Sequence, residues 1–389
     1  SQPVVRLIDS ILTDAVKREA SDIHFEPEAN FLRIRYRIDG MLRQIRALHK
    51  SYWPAMTVRI KVLAGMNIAE MRAPQDGRIG LTVSGRPIDF RVASQPTIHG
   101  ENIVLRILDR QKGIVPLEGL GLAEEHLHQL KLMIARPEGI ILVTGPTGSG
   151  KTTTLYSVLN HINAEGIHIM TLEDPVEYPM ALVRQTSVSE TAKLDFANGI
   201  RSMMRQDPDV ILVGEVRDAE TAEMAFRAAM TGHQVYTTLH TNSAIGAVPR
   251  LLDIGVLPDI LAGNIIGIVA QRLIRRLCEH CKSPYHAEAH EIRLLGSLGE
   301  GPRPVLFRPT GCELCDFQGY RGRIAIMELL RIDAGIDELI ARRATTHEIR
   351  ARAVLQGFTT LADDGMHRVL NGITSLEELA RVVDLTDRM

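Results

Sequence analysis

A glycine-rich octapeptide between an apolar run and a helical pattern limits the fold of this chain more than any other feature of its sequence. Residues 145–152 read GPTGSGKT, after the run IILVT and before TTLYSVLNHI. Glycines at these spacings let successive backbone N–H groups point inward at phosphate oxygens, and the following helix presents its positive N-terminus. The pattern therefore predicts a strand, a phosphate-binding loop and a helix, in that order.

The loop residues are the candidate nucleotide ligands. We expect Lys151 to bridge the outer phosphates, and the Thr152 hydroxyl to bind the Mg²⁺ that arrives with the nucleotide. A chance glycine-rich turn is the alternative, but the strand and helix on either side argue against it. The predicted binding set is Gly145, Pro146, Thr147, Gly148, Ser149, Gly150, Lys151, Thr152 and Thr153.

Four short apolar runs alternate with helical stretches, which is typical of a mainly parallel sheet covered by helices. The runs are GIILVTG, HIMTLED, DVILVGE and QVYTTLH, and polar residues follow each of them. Open sheets of this kind bind ligands at the carboxyl ends of their strands. We therefore expect Glu173, Glu215 and His240 to lie near the phosphate loop.

The acidic residues at two strand ends are the candidate catalysts. Glu215 would hold Mg²⁺ through a water or orient the attacking water, and TLEDPVEY adds Glu173, Asp174 and Glu177. Two carboxylates near one phosphate permit one to serve the metal and the other the water. We favour Glu173 as the base, but spacing alone leaves the choice between Glu173 and Glu215 open.

The histidine after the fourth run, His240, could contact the terminal phosphate and report its loss. A structural histidine is the alternative, and the position of His240 at a strand end makes the two interpretations about equal. His233 is a weaker candidate, and we assign it a supporting role.

All four cysteines of the chain fall into two C-x-x-C pairs separated by 30 residues. Four thiolates in two such turns match a tetrahedral, closed zinc site, in which the metal is structural and performs no chemistry. A redox pair is the alternative, and His280 and His286 are possible competing ligands. The predicted zinc ligands are Cys278, Cys281, Cys312 and Cys315.

The N-terminal part of the chain has a different pattern. Residues 3–20 place apolar side chains at helical spacing, and FLRIRYRID alternates strictly between apolar residues and Arg33, Arg35 and Arg37. Further turn-bounded runs complete an α+β domain that ends near Asp109. We interpret the three arginines as a solvated strand face rather than a phosphate site.

The distribution of charge and the local signals for element boundaries indicate how the chain divides into domains. Residues 1–112 hold 18 basic and 12 acidic residues, whereas residues 113–389 hold 27 and 35, so the two parts carry net charges of opposite sign. The ITSLEELARVV segment also carries a Ser-x-x-Glu capping box at Ser375 and Glu378. The predicted division is an N-terminal domain at 1–112, a hinge at 113–121 and a nucleotide domain at 122–389, which includes a zinc subdomain at 278–325 and C-terminal helices at 333–389.

Composition excludes several classes of protein. The chain has 389 residues, 45% hydrophobic and 24% charged, with no apolar run of 18 residues, so we expect a globular protein without a membrane span. Four cysteines are too few for a disulfide-stapled scaffold, which favours a reducing cytosol. Because Ser1 stands where an initiator Met would be, we expect that a further N-terminal portion precedes this sequence in the native protein.

These motifs together resemble the secretion ATPases that power type II secretion and type IV pilus assembly, a branch of the RecA-like P-loop NTPases. The resemblance covers essentially the whole chain and also rests on ASDIHFEP, YRIDG, IAEMRAPQDGR, RQDPDVILVGEVRD, TGHQVYTTLHTNSA, AQRLIRRLC and GYRGR. It implies an α/β fold: a RecA-like P-loop ATPase domain, a smaller α+β, PAS-like N-terminal domain and a small zinc-binding subdomain. It also implies that Arg91 and Arg106 reach the phosphates, with Arg78 and Arg217 as secondary candidates.

The same resemblance implies a function. We expect a Mg²⁺-dependent ATPase with ATP, Mg²⁺ and Zn²⁺ as cofactors, acting as a homohexameric cytoplasmic motor that is peripheral to the bacterial inner membrane. Its partners would be inner-membrane platform proteins, and the two cysteine pairs resemble the secretion and pilus-extension branch rather than retraction motors. The alternatives are a nucleotide-binding switch with negligible hydrolysis and a nucleic-acid motor. The near-zero net charge and 4% aromatic residues argue against binding to nucleic acid.

Overall fold

A computed structural model describes residues 2–109, 113–188 and 194–389. The chain divides into two compact units, Ser1–Gly113 and Ile114–Met389, called here the N-terminal and the C-terminal unit. Each is described by itself. Residues 110–112, where the sequence analysis ends the first domain, lie outside the described residues.

The N-terminal unit is a six-stranded antiparallel sheet with two helices. The sheet has the strand order β3-β2-β1-β6-β5-β4. Alternation explains β2: Leu32, Ile34 and Tyr36 are buried, while Arg33 pairs with Glu28 and Arg35 with Glu26 on the other face. The elements are α1 (Gln2–Lys17), β1 (Asp22–Pro27), β2 (Phe31–Ile38), β3 (Met41–His49), α2 (Trp53–Ala64), β4 (Gln75–Val83), β5 (Arg86–Thr97) and β6 (Gly100–Asp109).

The C-terminal unit is built on a seven-stranded sheet with helices between most of its strands. Its elements up to the sixth of these strands are α3 (Glu124–Ile134), β7 (Gly139–Thr144), α4 (Lys151–Ile162), β8 (Ile169–Glu173), β9 (Val183–Ser187), α5 (Phe196–Met204), β10 (Val210–Val213), α6 (Ala219–Met230), β11 (Gln234–Leu239), α7 (Ala247–Ile254), α8 (Pro258–Leu261) and β12 (Ile265–Leu277). The remaining elements are β13 (Ser283–His286), α9 (Ala289–Leu295), β14 (Val305–Arg308), β15 (Tyr320–Arg331), α10 (Ala334–Ala341), α11 (Thr346–Leu355), α12 (Leu361–Leu370) and α13 (Leu376–Val382).

The order of the seven strands decides where functional side chains meet. It is β15-β12-β7-β11-β10-β8-β9, and every pair is parallel except β12 with β15. β7, β10 and β11 are buried along their whole length, as expected for strands covered on both faces. Because β7, β11, β10 and β8 are adjacent and parallel, their carboxyl ends share one edge of the sheet.

The α/β prediction and its four apolar strands are confirmed. The sequence analysis did not identify β9, β12 or β15, whose charged and polar residues interrupt an apolar pattern. The cysteine pairs and the small β13–β14 ladder fall between β12 and β15, so this module is inserted into a long antiparallel hairpin of the main sheet.

The capping box predicted at the start of α13 is only half present. Ser375 accepts a hydrogen bond from the N–H of Glu378 at 3.0 Å, as a cap should. The Glu378 side chain does not return the bond, because it is buried and accepts instead from the backbone and guanidinium of Arg275 and from Arg381. Among the described residues, no helix is both long and apolar enough to cross a membrane.

Candidate nucleotide site and cysteine cluster

The loop between β7 and α4 has the backbone of an anion cradle. Gly148 and Gly150 have φ near +83° and +85°, which L side chains rarely adopt, and a Cβ at Gly145 would lie 2.5 Å from the Ser149 hydroxyl oxygen. α4 begins at Lys151 without a side-chain cap. The N–H groups of its first turn are therefore available to an anion.

The loop forms one wall of a cavity of about 390 Å³. The other walls come from the strand ends that the sequence analysis selected. The cavity is lined by Thr147, Gly148, Ser149, Gly150, Lys151, Thr152 and Thr153 together with Glu173, Asp174, Glu177, Glu215, Thr238 and His240, and by apolar residues that include Leu155 and Phe196. The fold thus brings the predicted loop, both carboxylates and the histidine to one place.

A chain of polar contacts crosses the cavity mouth. The Lys151 ammonium donates to the Gly145 carbonyl at 2.7 Å and lies 3.0 Å from His240 Nδ1. His240 Nε2 lies 3.1 Å from Glu215 Oε2, and Glu215 also pairs with Arg217. Burial lowers the pKa of Lys151 to about 8, although the Glu215 charge acts against it.

Glu215 is the accessible carboxylate of the two. Burial by itself favours its neutral form, but hydrogen bonds from Arg217 and His240 outweigh this, and the pKa of Glu215 is lowered. Arg217 also donates to Asp174 at 2.7 Å and lies over the Phe196 ring. Glu215 is therefore ionised at neutral pH and faces the cavity beside the histidine.

Glu173 reaches the same cavity but is 5% exposed. Its oxygens accept hydrogen bonds from the Tyr156 and Thr171 hydroxyls and, at 3.5 Å, from the Gln185 amide. Burial raises its pKa despite these donors. Tyr156 lies on α4 and Gln185 on β9, so only the fold brings these two partners to β8, whereas Thr171 lies two residues before Glu173 on β8 itself.

The supporting role that we assigned to His233 is not compatible with its position. His233 precedes β11 and His240 follows it, so the length of the strand separates the two rings. The His233 Nδ1 atom lies 2.8 Å from the Ala228 carbonyl at the end of α6. His233 therefore belongs to the opposite edge of the sheet from the nucleotide cavity.

The predicted arginines of the N-terminal unit form a row across three strands. Arg91 on β5 is directly opposite Arg78 on β4 and Arg106 on β6, and Arg106 is opposite Asp22 on β1, to which it donates at 3.3 Å. The row lines an open cavity of about 500 Å³. Asp22 and Asp76 line the same cavity, but the three arginines outnumber them, so this face carries a net positive charge that suits an anion.

The four cysteines converge on one point beyond the end of β12. The sulfur atoms of Cys278 and Cys312 lie 3.8 Å apart, those of Cys281 and Cys315 3.7 Å, and all four lie within 4.8 Å of one another. Zinc–sulfur bonds of about 2.3 Å in a tetrahedron place the sulfurs about 3.8 Å apart, whereas a disulfide needs about 2.05 Å. Backbone N–H groups of Gly311, Cys312 and Gly319 donate to these sulfurs. The cluster fits zinc.

A phosphate loop between the parallel strand β7 and helix α4, with acids at the ends of nearby strands, defines a P-loop nucleoside triphosphate-binding fold. The chain matches the family described as "Type II/IV secretion system protein" over residues 1–381, and it belongs to that family.

Two curated relatives illustrate the similarity. The "Type II secretion system ATPase E" of Vibrio cholerae is 45% identical over 98% of this chain and 75% of its own length. The "Type II secretion system protein E" of Dickeya dadantii is 47% identical over 98% of this chain and 76% of its own length.

Two solved structures show the same fold. The crystal structure of the pilus retraction motor PilT with bound ADP has a TM-score of 0.64 at 29% identity and covers 96% of each chain. The Legionella pneumophila ATPase DotB has a TM-score of 0.71 at 23% identity, over 97% of this chain and 95% of its own.

Proposed function

We propose that this chain is the magnesium-dependent ATP hydrolase of a type II secretion machine. One observation carries the proposal: an uncapped helix N-terminus and Lys151 on one side of a cavity face an ionised Glu215 and His240 on the other. The family and the printed names of its members support secretion as the process. Those names favour type II secretion over pilus assembly, between which the motifs alone do not decide.

The binding roles follow from the loop geometry. The N–H groups of Gly148 and of residues 150–153 and the Lys151 ammonium would hold the phosphates, and the Thr152 hydroxyl would hold Mg²⁺, leaving Glu215 to meet the attacking water. Magnesium would neutralise phosphate charge as bond cleavage begins. The Lys151 ammonium donates to the Gly145 and Leu239 carbonyls, which hold it at the loop where the phosphates would lie.

For the base we favour Glu215 over the Glu173 of the sequence-based prediction. A general base needs an ionised oxygen that can meet a water in the cavity. Glu215 is ionised and accessible, whereas Glu173 is 5% exposed and its oxygens already accept hydrogen bonds from three side chains. In this proposal Glu173 fixes the wall of the site, and His240 senses the terminal phosphate through its contact with Glu215.

The arginine row would supply charge from the N-terminal unit. Arg91 and Arg106 are proposed to neutralise the phosphate in the transition state, and Arg78 to support them. The position of Arg78, Arg91 and Arg106 directly opposite one another on β4, β5 and β6 supports this, because three guanidinium groups can act together on one anion.

The assembly and its setting are part of the proposal. The chain would act as a ring of six at the cytoplasmic face of the inner membrane, in contact with inner-membrane platform proteins, and membership in a secretion-system family supports this setting. Domain closure over ATP, and its release after hydrolysis, would supply the motion that the machine uses. Zinc held by the four cysteines would stabilise the β12–β15 module and take no part in hydrolysis.

Steady-state phosphate release with MgATP tests the proposed function. The purified chain should bind MgADP and release phosphate from MgATP. A chain that binds MgATP tightly but releases no phosphate, even as a ring, would be a nucleotide switch. A chain that binds no adenine nucleotide would refute the site itself.

A further inference from the structure

Three buried polar residues of the β12–β15 hairpin have no place in the chemistry proposed above. Gln271 and Arg272 on β12 and Glu328 on β15 are between 1% and 8% exposed. Among the described residues, the lining of the nucleotide cavity does not include them. Buried polar and charged groups are costly unless they are hydrogen-bonded, so the partners of these side chains indicate what they do.

Gln271 holds the phosphate loop. Its amide nitrogen donates to the Ser149 carbonyl at 2.7 Å, and a Cβ at Gly150 would lie 3.0 Å from the same nitrogen. Its backbone oxygen would lie 2.9 Å from a Cβ at Gly145. One residue of β12 therefore packs against both ends of the loop and fixes the carbonyl just before α4 begins.

Arg272 and Glu328 hold the segment that follows His240. The Arg272 guanidinium donates to the Asn242 carbonyl at 3.0 Å, and the Ala244 N–H donates to Glu328 Oε2 at 3.0 Å. The second Glu328 oxygen accepts from the Leu361 N–H at 3.0 Å, which ties the segment to α12. Bonds two and four residues beyond His240 therefore fix the direction from which its ring enters the cavity.

We propose that the β12–β15 hairpin positions both loops that contact the nucleotide. Gln271 positions the phosphate loop, and Arg272 with Glu328 positions His240; none of the three touches the substrate. This inference rests on the proposed function. Arg272 follows Gln271 directly along β12. The preceding residue, Ala270, pairs with Thr144 on β7 and with Glu328 on β15. The hairpin therefore fixes the positions of the two loops relative to each other.

The proposal has two arms: the first is Gln271 acting on the phosphate loop, and the second is Arg272 with Glu328 acting on His240. Their loss should have different kinetic effects. The phosphate loop binds phosphates in substrate and product alike, so its displacement weakens nucleotide binding with little change in kcat. In the proposed function, His240 would contact only the phosphate that ATP has and ADP lacks. Displacing it should lower kcat and leave the affinity for MgADP nearly unchanged.

Gln271→Met tests the first arm, because it keeps the length of the side chain and removes the donor. We expect affinity for MgADP to fall about five- to tenfold, with kcat at saturating MgATP within about twofold of the parent. The matched control is Gln234→Met. Gln234 is also buried, but it donates to the Ile134 and Arg136 carbonyls at the other end of the sheet, and its loss should leave the affinity for MgADP within about twofold.

Glu328→Gln tests the second arm, because it replaces one of two accepting oxygens by a donor. We expect kcat to fall about tenfold while the affinity for MgADP stays within about twofold. Equal loss of affinity in the Gln271 and Gln234 variants would overturn the inference, as would parental kinetics in Gln271→Met and Glu328→Gln. If Gln271→Met does not fold, Gln271→Asn keeps the amide but shortens its reach, and the same outcomes apply.

Failure of this inference can be told apart from failure of the proposed function. Parental chain that binds MgADP and hydrolyses MgATP, alongside variants that behave like it, refutes only the positioning role. Parental chain that binds no MgADP refutes the nucleotide site before any variant is compared.

Discussion

The phosphate loop and the cysteine cluster lie in the same unit and use backbone N–H groups in opposite ways. In the loop, the N–H groups at the start of α4 have no side-chain cap and face a cavity of about 390 Å³. In the cluster, the N–H groups of Gly311, Cys312 and Gly319 donate to the cysteine sulfurs. The first site is open to an anion that comes and goes, and the second is closed around its own ligands.

The charged groups of the two sites also show that one site is open to a ligand and the other is closed. Burial lowers the pKa of Lys151 to about 8, and a bound phosphate would favour the charged form of its ammonium group. Four thiolates around one point need a cation, and their spacing leaves no position for a substrate. An open site predicts turnover, whereas a closed site predicts stability.

The largest effect should come from Lys151→Ala. Loss of the ammonium removes phosphate binding in the ground state and charge stabilisation in the transition state, so kcat/KM for MgATP should fall about 10³-fold. Phosphate release measures this, and circular dichroism should show an unchanged fold. Activity near that of the parent would refute the assignment of the open site.

Glu215→Gln should lower kcat about 10²- to 10³-fold while MgATP still binds, because the variant keeps the shape of the side chain but not its basicity. Glu173→Gln is the matched variant. Glu173 is 5% exposed and its oxygens already accept from three side chains, so a role in fixing the cavity wall predicts that kcat falls less than about tenfold. Single-turnover hydrolysis compares them, and a larger loss in the Glu173 variant would restore the first assignment of the base.

The arginine row extends the contrast to the N-terminal unit, since it too is open to an anion. Arg91→Gln should lower kcat about 10- to 100-fold and leave the affinity for MgADP nearly unchanged. The same variant should raise the unfolding temperature slightly, because it removes a like charge opposite Arg78 and Arg106. A variant with parental kcat would show that the row serves another ligand.

The pH dependence of nucleotide binding should follow Lys151. Its pKa of about 8 in the free site means that the ammonium loses its proton as pH rises through 8, and bound phosphate should raise the pKa again. Affinity for MgADP should therefore be constant below pH 7 and fall by up to about tenfold per pH unit above 8. Lys151→Arg, which stays charged, should bind with little pH dependence, and a flat profile in the parent would contradict the lowered pKa.

Loss of the cysteine cluster should have the smallest effect on nucleotide binding. Cys281→Ser should abolish binding of about one zinc per chain and lower the unfolding temperature by several degrees. It should change the affinity for MgADP far less than Lys151→Ala does, because the β12–β15 ladder holds Gln271 independently of the cluster. Metal analysis that finds no zinc in well-folded parental protein would remove the claim of a closed metal site.

The fold and the candidate site were predictable from sequence to different degrees. GPTGSGKT between a strand and a helix, and the acids after apolar runs, predicted the loop and the sheet edge that carries Glu173, Glu215 and His240. The surroundings of each side chain were not predictable in this way. Glu173, for example, is in contact with Tyr156 on α4 and Gln185 on β9, which are distant from it along the chain. The choice between the two carboxylates depends on those contacts.

Local geometry and spacing along the chain were enough to predict the phosphate loop and the cysteine pairs. A glycine-rich loop between a strand and a helix favours phosphate binding, and each C-x-x-C turn brings two cysteines together. Only the tertiary structure decided which distant residues share an environment: that His233 lies across the sheet from His240, and that β12 places Gln271 against the loop. The physical reason is that burial, and with it the pKa and the partners of a side chain, comes from contacts between residues far apart along the chain, which local patterns do not encode.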